Sequence, residues 1–518
     1  MRVLLVEPDY PTKFPPLGLL KISTYHKQRG DKVEFTRGLY KTSEPFIFDR
    51  VYITSLFSFY HSKTVASILH YKHLMNGDIR RVIVGGIYAT LNAKEIYELT
   101  GIYPHVGLLD KPGLLGDDDI IVDNLVPDYE LLDEVPYNYS LKDAYFGYAT
   151  RGCPNKCKFC AVSQLEPNFK HYCNLGQYLE EIKEKFGEKQ HLVLMDNNVL
   201  ASSLFEDIIE DIKKFGFIKG AKRNGKMRIV DFNQGLDARR INDHNAELLS
   251  EVCIRPIRLA YDNPHEGKTF ERAVRILAEH GMTKLSAYLL YNYLDTPADL
   301  YSRLKHIIDL NEELGTEIYS FPMRYTPITQ KDRRYVGKNW SAKQIRGLQC
   351  ILNVTKGIVS HRSLFFWKAF GGDSEEFEEL ILMPDDYVLY RLDHEKNSDT
   401  QKWKGEWQSL SQPEKDEFLA IVRSNSMVQA VYGYYTTKSE NIRTLLDHYF
   451  NSDNQKDLFD WREHFKSLTP EQKSSLLEYI ASNGNGKISK LNPHISNEKI
   501  HRLVTHYNGL QKKWQPIH

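Results

Sequence analysis

The first 110 residues alternate short apolar runs with amphipathic stretches of helical periodicity. Apolar runs bounded by turn-forming residues are typical of buried strands, and their alternation with helices predicts βαβ units around a parallel sheet. The predicted strands lie at residues 3–6, 51–56, 81–86 and 105–109, and the predicted helices at residues 17–29 and 64–75. We therefore expect a small Rossmann-like α/β domain over residues 1–110.

A second alternation begins near residue 145 and repeats six times. Its predicted strands lie at residues 145–150, 191–196, 227–232, 257–262, 285–291 and 317–324. The predicted helices between them include residues 179–186, 204–215, 270–280 and 298–310. Six βα units favour a partial (β/α)6 barrel of the TIM type over residues 145–330, with its active site at the carboxyl ends of the strands.

The remaining segments differ in composition. Residues 111–144 carry Gly113, Gly116, an acidic run and scattered prolines, which indicate a connector. Beyond residue 330 the periodicity is mostly helical, at residues 343–359, 413–422, 440–450 and 470–480, and a loop of Asn and Gly follows at 483–486. All six tryptophans fall there: Trp340, Trp367, Trp403, Trp407, Trp461 and Trp514. We expect a barrel extension over residues 331–371 and a mostly helical accessory domain over 372–518.

Composition indicates the cellular compartment and does not favour a polyanionic partner. Lys and Arg total 68, and so do Asp and Glu, so the net charge is zero and whole-chain charge does not favour a polyanionic partner. The apolar runs are strand-sized, so we expect neither a signal peptide nor a membrane span. Six cysteines, mostly clustered, are typical of a protein of the reducing cytoplasm.

Three of the six cysteines lie within eight residues, at Cys153, Cys157 and Cys160. Cysteines this close cannot easily satisfy disulfide geometry, so a metal explains them better. Structural zinc takes four protein ligands, usually as two separated pairs, and no matching pair follows. Three thiolates on one loop suit a cubane iron-sulfur cluster with one iron left open to a small molecule. A zinc knuckle completed by His171 or Cys173 remains the alternative.

The loop Thr-Arg-Gly-Cys-Pro-Asn-Lys-Cys-Lys-Phe-Cys-Ala-Val at residues 150–162 resembles the signature of radical S-adenosylmethionine (SAM) enzymes. The resemblance implies that the three cysteines hold a [4Fe-4S] cluster whose open iron chelates SAM. Reductive cleavage would give methionine and a 5′-deoxyadenosyl radical that abstracts a hydrogen atom. Phe159 would lie near the adenine, and a flavodoxin or ferredoxin type of protein would supply the electron. The reaction would be a methylation, rearrangement or cyclisation, and the substrate stays open among small molecules, peptides and nucleic acids.

Polar residues follow the predicted barrel strands, where the chemistry is expected. The resemblance and the strand-end positions together give nine candidate SAM contacts: Phe159, Asp196, Asn197, Asn198, Gln234, Asp237, Arg239, Tyr261 and Arg324. An arginine among them could pair with the methionine carboxylate in a bidentate manner. Taken one at a time, such polar residues are as often helix caps or turn formers. Lys331, Arg333 and Arg334 follow the last strand and would contact an anionic substrate.

Residues 15–20, 29–33 and 84–90 resemble the cobalamin-binding-type domain that precedes the barrel in one subclass of radical SAM enzymes. In such sheets ligands lie beyond the carboxyl ends of the strands, where Gly85 and Gly86 would allow close backbone approach. The motif D-x-H-x-x-G, which supplies a histidine ligand to cobalt, is missing. Either cobalamin binds without a histidine, as in a cobalamin-dependent radical SAM methyltransferase, or the domain keeps the fold alone.

A hypothesis of another class is a non-enzymatic zinc or iron-sulfur protein that binds nucleic acid. Residues 213–228 contain seven Lys or Arg and no acidic residue, and the Lys-Trp-Lys-Gly-Glu-Trp segment at 402–407 could stack bases. Barrel topology, however, places residues 213–228 on the face opposite the active site, where a charge run is usually a solvated loop. A zinc knuckle also needs no scaffold of six βα units after it.

Overall fold

The computed structural model describes residues 1–40, 46–330, 333–425, 427–450, 469–471 and 473–474. They form a mixed α/β protein with parallel sheets and many helices. The chain divides into two compact units. The first comprises Met1–Tyr293 and Lys305–Tyr335, and the second comprises Leu294–Leu304 and the described residues from Val336 onward.

The first unit begins with a four-stranded parallel sheet in the order β2-β1-β3-β4. Its elements are β1 Arg2–Glu7, α1 Leu17–Gln28, β2 Lys32–Arg37, β3 Arg50–Ser55, α2 His61–Leu74, β4 Val82–Gly86, α3 Ile87–Leu91 and α4 Ala93–Thr100. Three of the four predicted strands and both predicted helices are confirmed. Strand β2 was not predicted, because its Lys-Val-Glu-Phe-Thr-Arg alternation is that of a half-exposed edge strand and has no apolar run.

The strand predicted at residues 105–109 is wrong. His105 donates one backbone hydrogen bond to the Val84 carbonyl oxygen (2.8 Å), so the segment does pass beside β4. Pro104 precedes it, however, and Gly107 adopts a left-handed φ of 92°. Neither residue sustains a ladder of hydrogen bonds, so the segment continues as a loop.

Six further parallel strands follow in the first unit and form two three-stranded sheets. The elements are β5 Ala144–Gly147, β6 Thr150–Arg151, α5 Val162–Leu165, β7 Lys170–His171, α6 Leu175–Phe186, β8 His191–Leu194, α7 Phe205–Lys214, β9 Lys222–Arg223, β10 Lys226–Met227, β11 Val230–Phe232, α8 Asp243–Ser250, β12 Ile257–Ala260, α9 Gly267–Glu279, β13 Lys284–Tyr291, α10 Pro297–Leu314 and β14 Glu317–Arg324. All six predicted strands are confirmed.

The two sheets have the orders β11-β8-β5 and β12-β13-β14. Isolated parallel bridges join residues beside β11 and β12: Val230 pairs with Ile254, and Leu236 pairs with Leu259. The Leu236 N–H donates to the Arg258 carbonyl oxygen at 2.8 Å. The short strands β6 with β7 and β9 with β10 form antiparallel pairs outside these sheets.

The second unit is helical in its described residues. Its helices are α11 Ala342–Val354, α12 Ser363–Phe370, α13 Ser374–Leu382, α14 Asp385–Leu389, α15 Arg391–Lys396, α16 Asp399–Ser409, α17 Gln412–Val422, α18 Met427–Thr436 and α19 Glu440–Phe450. Trp403 is buried and stacks on Trp407 at 5.9 Å between ring centroids, so these two aromatics belong to the core. Trp461, Trp514, the loop at 483–486 and most of the helix predicted at 470–480 lie outside the described residues.

No helix in the described ranges combines the length and the apolarity that crossing a bilayer requires.

Candidate active site

The cysteine loop begins where Asp196 fixes the backbone beyond β5. The Asp196 carboxylate follows β8 and accepts hydrogen bonds from the N–H of Ala149 (3.1 Å) and from the N–H (2.5 Å) and Oγ1 (2.7 Å) of Thr150. It is 2% exposed, and its burial raises its pKa to about 6 despite these bonds. Both oxygens are thus engaged by the chain, so Asp196 positions the loop, a role that the sequence did not indicate.

Glu166 fixes the loop one step further on. Its Oε2 accepts from the Gly152 N–H at 2.7 Å and from Asn197 Nδ2 at 2.8 Å, and its Oε1 accepts from Arg151 Nη1 at 2.8 Å. Gly152 has a φ of 75°, and a Cβ there would lie 2.3 Å from the Asn168 carbonyl oxygen, so only glycine fits. The backbone of Gly152, directly before Cys153, is therefore held in one conformation.

Cys153, Cys157 and Cys160 are free, half-buried thiols on this loop. Burial raises the pKa of Cys157 and of Cys160, and at Cys157 the positive charge of Arg239 acts against that effect. Asn198 Nδ2 donates to Cys153 Sγ at 3.5 Å. These three thiols are therefore placed by the same loop, next to a cation and an amide donor.

The two residues of the zinc alternative, Cys173 and His171, have other surroundings in the part of the chain that the structure describes. Cys173 Sγ donates to the Tyr148 carbonyl oxygen at 3.0 Å, and His171 is exposed on β7. Within the residues that the structure describes, no three His, Cys, Asp or Glu side chains converge as they would on a single metal ion, and this includes Cys153, Cys157 and Cys160 themselves.

Asp237 is the centre of a polar cluster beside the thiols. It accepts from Asn155 Nδ2 (2.8 Å), Asn198 Nδ2 (2.9 Å) and Arg239 Nε (2.7 Å). Its burial alone would raise its pKa, but these hydrogen bonds outweigh burial and hold the pKa below the usual value. The Oδ1 of Asn198 is buried and has no hydrogen-bond partner among the described residues. An unsatisfied buried acceptor is costly, so this atom indicates a missing donor from a ligand.

An aromatic cluster lies on another side of the loop. The Phe159 ring contacts Tyr293 at 5.7 Å between centroids, and Tyr293 contacts Tyr325 at 4.7 Å. Sequence reasoning found Phe159 but missed Tyr293, although it follows the end of β13 and the strand-end rule would have selected it. Asn155 and Glu166 were also missed, because neither lies at a strand end or in a recognisable motif.

The remaining predicted residues are more scattered. Tyr261 is buried, stacks on Phe270 at 4.8 Å and hydrogen bonds with His306 Nδ1 at 3.2 Å, so its contacts are those of a core residue. Gln234 is exposed and donates to its neighbour Asn233. Arg324 Nη2 donates to the Tyr335 carbonyl oxygen at 2.9 Å.

Of the three cations proposed for an anionic substrate, Lys331 lies outside the described residues. Arg333 lies 5.2 Å from the centroid of the Phe59 ring, and Arg334 follows it in a turn. The basic run has carboxylate partners: Lys213 pairs with Glu210 and Glu251 at 2.6 Å each, and Arg228 pairs with Glu188 at 2.8 Å.

The two glycines at the end of β4 differ in their surroundings. A Cβ on Gly86, which has a φ of 104°, would lie 2.3 Å from the Ser55 carbonyl oxygen, so Gly86 allows β4 to pack closely on β3. A Cβ on Gly85 would meet nothing within 4 Å. Next to them Phe57 and Phe59 stack at 4.9 Å and are 41% and 40% exposed, and α3 packs against α5, just after Cys160.

No protein-family model and no curated protein matches the chain. Among solved structures, the apo, selenomethionine-labelled, cobalamin-dependent S-adenosylmethionine radical enzyme OxsB aligns over 100% of this chain and 84% of its own, with 13% identity and a TM-score of 0.40. SuiB from Streptococcus suis, bound to S-adenosylmethionine, aligns over 41% of this chain and 47% of its own, with 14% identity and a TM-score of 0.28. A second SuiB structure, bound to the precursor peptide SuiA, gives the same identity and TM-score over 41% and 46%.

OxsB is an enzyme of the class that the cysteine loop resembles, and SuiB was solved with the metabolite which that class uses.

Proposed function

We propose that the chain is a radical SAM enzyme in which Cys153, Cys157 and Cys160 hold a [4Fe-4S] cluster. The main support for this proposal is the surroundings of the thiols. The Asn198 amide nitrogen donates to Cys153 Sγ and to Asp237, and the buried Asn198 oxygen has no hydrogen-bond partner among the described residues. A donor set of three thiolates fits a cluster with one open iron. The amino group of SAM would supply the donor that Asn198 Oδ1 lacks.

We further propose that the six parallel strands β5, β8, β11, β12, β13 and β14 form the partial (β/α)6 barrel of residues 145–330. The support is their pairing in chain order, β5-β8-β11 and β12-β13-β14, with bridges between β11 and β12. In such a barrel the residues that follow the strands lie on one face. The hydrogen bonds of Asp237 with Asn198 and with Asn155 of the cysteine loop agree with this arrangement. The segments 1–110, 111–144, 331–371 and 372–518 remain the proposed Rossmann-like domain, connector, extension and accessory domain.

When bound, the reduced cluster and SAM would supply a 5′-deoxyadenosyl radical for C–H activation. The residues of the chain bind and orient SAM. Asn198 accepts from the SAM amino group, Arg239 pairs with the methionine carboxylate, and Asp237 holds both side chains by hydrogen bonds. Phe159, with Tyr293 and Tyr325 behind it, offers an apolar face for the adenine and excludes water.

The other proposed contacts have different roles in this scheme. Asp196 and Glu166 hold the loop without touching SAM, and Asn197 acts through Glu166. Gln234 would contact the ribose and Arg324 the methionine carboxylate, whereas Tyr261 supports the packing of α9. Arg333 and Arg334 would contact an anionic substrate.

We expect Asn198→Ala to weaken SAM binding by about 10- to 100-fold, the usual loss when a group that supports a metal site is removed. The variant loses the donor to Cys153 Sγ and leaves Asp237 with fewer hydrogen bonds. Equilibrium dialysis of reconstituted protein with labelled SAM measures the affinity, and iron content shows whether the cluster persists. Asn353→Ala, at an exposed position of α11, is the control. Unchanged SAM affinity in the Asn198 variant would remove this residue from the site.

A cobalamin-dependent methyltransferase is the second candidate, because an exposed apolar surface lies beside the cysteine loop. Phe57, Phe59 and Ile87 are each about two-fifths exposed, and Gly85 leaves room for close approach. These residues fit a planar, largely apolar group. Bound cobalamin would supply methyl-transfer chemistry there.

This candidate predicts about one corrinoid per chain after anaerobic purification with hydroxocobalamin, measured by absorbance, since Phe57, Phe59 and Ile87 form a single continuous surface of the size of one ligand site. A Phe57→Ser/Phe59→Ser protein should retain less, and both side chains are exposed enough for the fold to tolerate the change. Wild-type protein that retains no corrinoid would exclude methylcobalamin chemistry.

The radical SAM proposal requires a reductant protein of the flavodoxin or ferredoxin type, and a compartment in which thiols stay reduced. All six cysteines are free, in agreement with a reducing cytoplasm. Anaerobic protein reduced with dithionite should convert SAM to equal amounts of methionine and 5′-deoxyadenosine. Protein with a full cluster that makes neither product would refute the proposed function.

A further inference from the structure

The second unit contains a cavity of about 440 Å³ between α12, α13, α15 and α16. Its volume lies within the range of small-molecule sites, about 300–1,000 Å³. The floor is apolar, formed by the buried side chains of Leu380 and Met383, and the rim carries Leu392, which is 81% exposed. A ligand that covers this exposed apolar side chain would remove its surface from water, and the burial of apolar surface favours binding.

One of the charged groups that line this cavity is the guanidinium of Arg391. Its Nη1 donates to the Lys368 carbonyl oxygen, which secures the side chain. Its Nη2 is buried and has no hydrogen-bond partner among the described residues. The nearest carboxylate among them is that of Glu395, whose Oε1 lies 3.9 Å from Nε, too far for a hydrogen bond. Burial lowers the pKa of Arg391, in agreement with a cation that lacks a close counter-ion.

The other charges of the cavity do not supply that counter-ion. Glu376 is fully used, because its Oε1 accepts from Lys404 Nζ at 2.5 Å and its Oε2 accepts from the Gly372 N–H at 2.8 Å. Lys368 adds a further positive charge at the rim. Three cations against two carboxylates leave one net positive charge among the lining residues. A ligand with a single negative charge would balance it.

We propose that this cavity binds a carboxylate that carries an apolar group. The carboxylate pairs with the guanidinium of Arg391, and the apolar group lies on Leu380, Met383 and Leu392. A buried guanidinium that gains a carboxylate partner forms a charge-assisted hydrogen bond, the strongest kind available to it. A monoanion matches the net charge of the lining better than a phosphate dianion does. The site belongs to the second unit and is independent of the cluster.

Such a carboxylate could be the C-terminus of a peptide that ends in an apolar residue, or a free amphiphilic acid. Calorimetric titration of the full-length protein with N-acetyl-L-leucine, its amide, N-acetyl-glycyl-glycyl-leucine and octanoate separates these sources. Tighter binding of the peptide than of N-acetyl-leucine indicates a peptide terminus, and tighter binding of octanoate indicates a free acid. In either case the amide should bind about 10- to 100-fold more weakly, because it loses a hydrogen bond to a charged group.

Two variants and one control test the residues. Arg391→Gln should lower the affinity for N-acetyl-leucine to that of the amide, and thermal unfolding shows whether the fold survives. Leu392→Ser, at an exposed position, should weaken binding several-fold without a cost to folding. Arg423→Gln, at an exposed arginine away from the cavity, should bind like the wild type. No saturable binding of any of the acids, equal binding of acid and amide, or equal binding by folded Arg391→Gln and wild type would overturn the proposal.

Discussion

Cys157→Ala should lose its cluster iron and with it the reductive cleavage of SAM. Cys157 is the central thiol of the loop, and two remaining thiolates cannot hold three irons of a cubane. Even loss of an outer hydrogen-bond partner of a metal site costs about 10–100-fold, so loss of a ligand should cost more than about 100-fold in 5′-deoxyadenosine formation. Iron analysis, electron paramagnetic resonance of the reduced protein and chromatographic assay of 5′-deoxyadenosine measure the three expected losses.

Cys173→Ala is the matched control, since it separates the cluster from the zinc alternative. Cys173 lies 13 residues beyond Cys160, and its thiol donates to the Tyr148 carbonyl oxygen. The cluster proposal predicts that this variant keeps its iron and its SAM cleavage, with a modest loss of stability. A wild-type protein that binds one zinc, and loses it in both the Cys157 and the Cys173 variants, would contradict the cluster.

The sequence predicted the buried strands well because their apolar runs have a single physical interpretation. β8 and β13, for example, are central strands of their sheets, and their sequences, His-Leu-Val-Leu and Lys-Leu-Ser-Ala-Tyr-Leu-Leu-Tyr, are mostly apolar and mostly buried. β2 was missed because an edge strand carries polar residues and has no such run. Residues 105–109 have a strand-like composition, but Gly107 turns the chain. In both cases the apolar content of the segment does not indicate its backbone conformation.

The candidate site shows the same limit at the level of single residues. Asp196 and Asn198 are two positions apart and both follow β8, so sequence patterns cannot distinguish their roles. The fold directs Asp196 to the backbone of residues 149 and 150 and Asn198 to Cys153 and Asp237. The three cysteines could be selected without such information, because their spacing alone predicts a metal or iron-sulfur site. Arg151 and Glu166 look like surface charges in the sequence, and only their pairing makes their burial tolerable.

This pairing connects the start of the cysteine loop to the N-terminal sheet region. Arg151 Nη2 donates to Asp123 Oδ1 at 2.8 Å, and its Nη1 donates to Glu166. The side chains of these three residues are at most 10% exposed. Lys21, on α1, lies 3.7 Å from Asp123 Oδ1 and hydrogen bonds with Tyr172 at 3.0 Å. Two cations and two carboxylates are therefore buried together, next to the residue that precedes Gly152 and Cys153.

Arg151→Gln should lower the free energy of unfolding by about 3–5 kcal/mol, because it leaves two buried carboxylates without their shared partner. The variant also loses the contact of the guanidinium with the Tyr148 ring, 3.4 Å from its centroid. Since Glu166 also holds Gly152, we expect weaker retention of cluster iron under mild chelation, even in molecules that remain folded. Denaturant unfolding of the apo protein and the rate of iron loss to a chelator measure these two effects.

Arg275→Gln provides the comparison, because Arg275 also pairs with two carboxylates, Glu271 and Glu313 at 2.8 Å each, but at the surface. Exposed pairs contribute about 0–1 kcal/mol, so this variant should unfold almost as the wild type does. Adding Asp123→Asn to Arg151→Gln should recover part of the lost stability, since it leaves one buried cation, Lys21, and one buried carboxylate, Glu166, and so restores the charge balance of the cluster. Equal effects of the Arg151 and Arg275 variants, or a double variant that is less stable than Arg151→Gln, would show that these buried charges do not hold the cysteine loop.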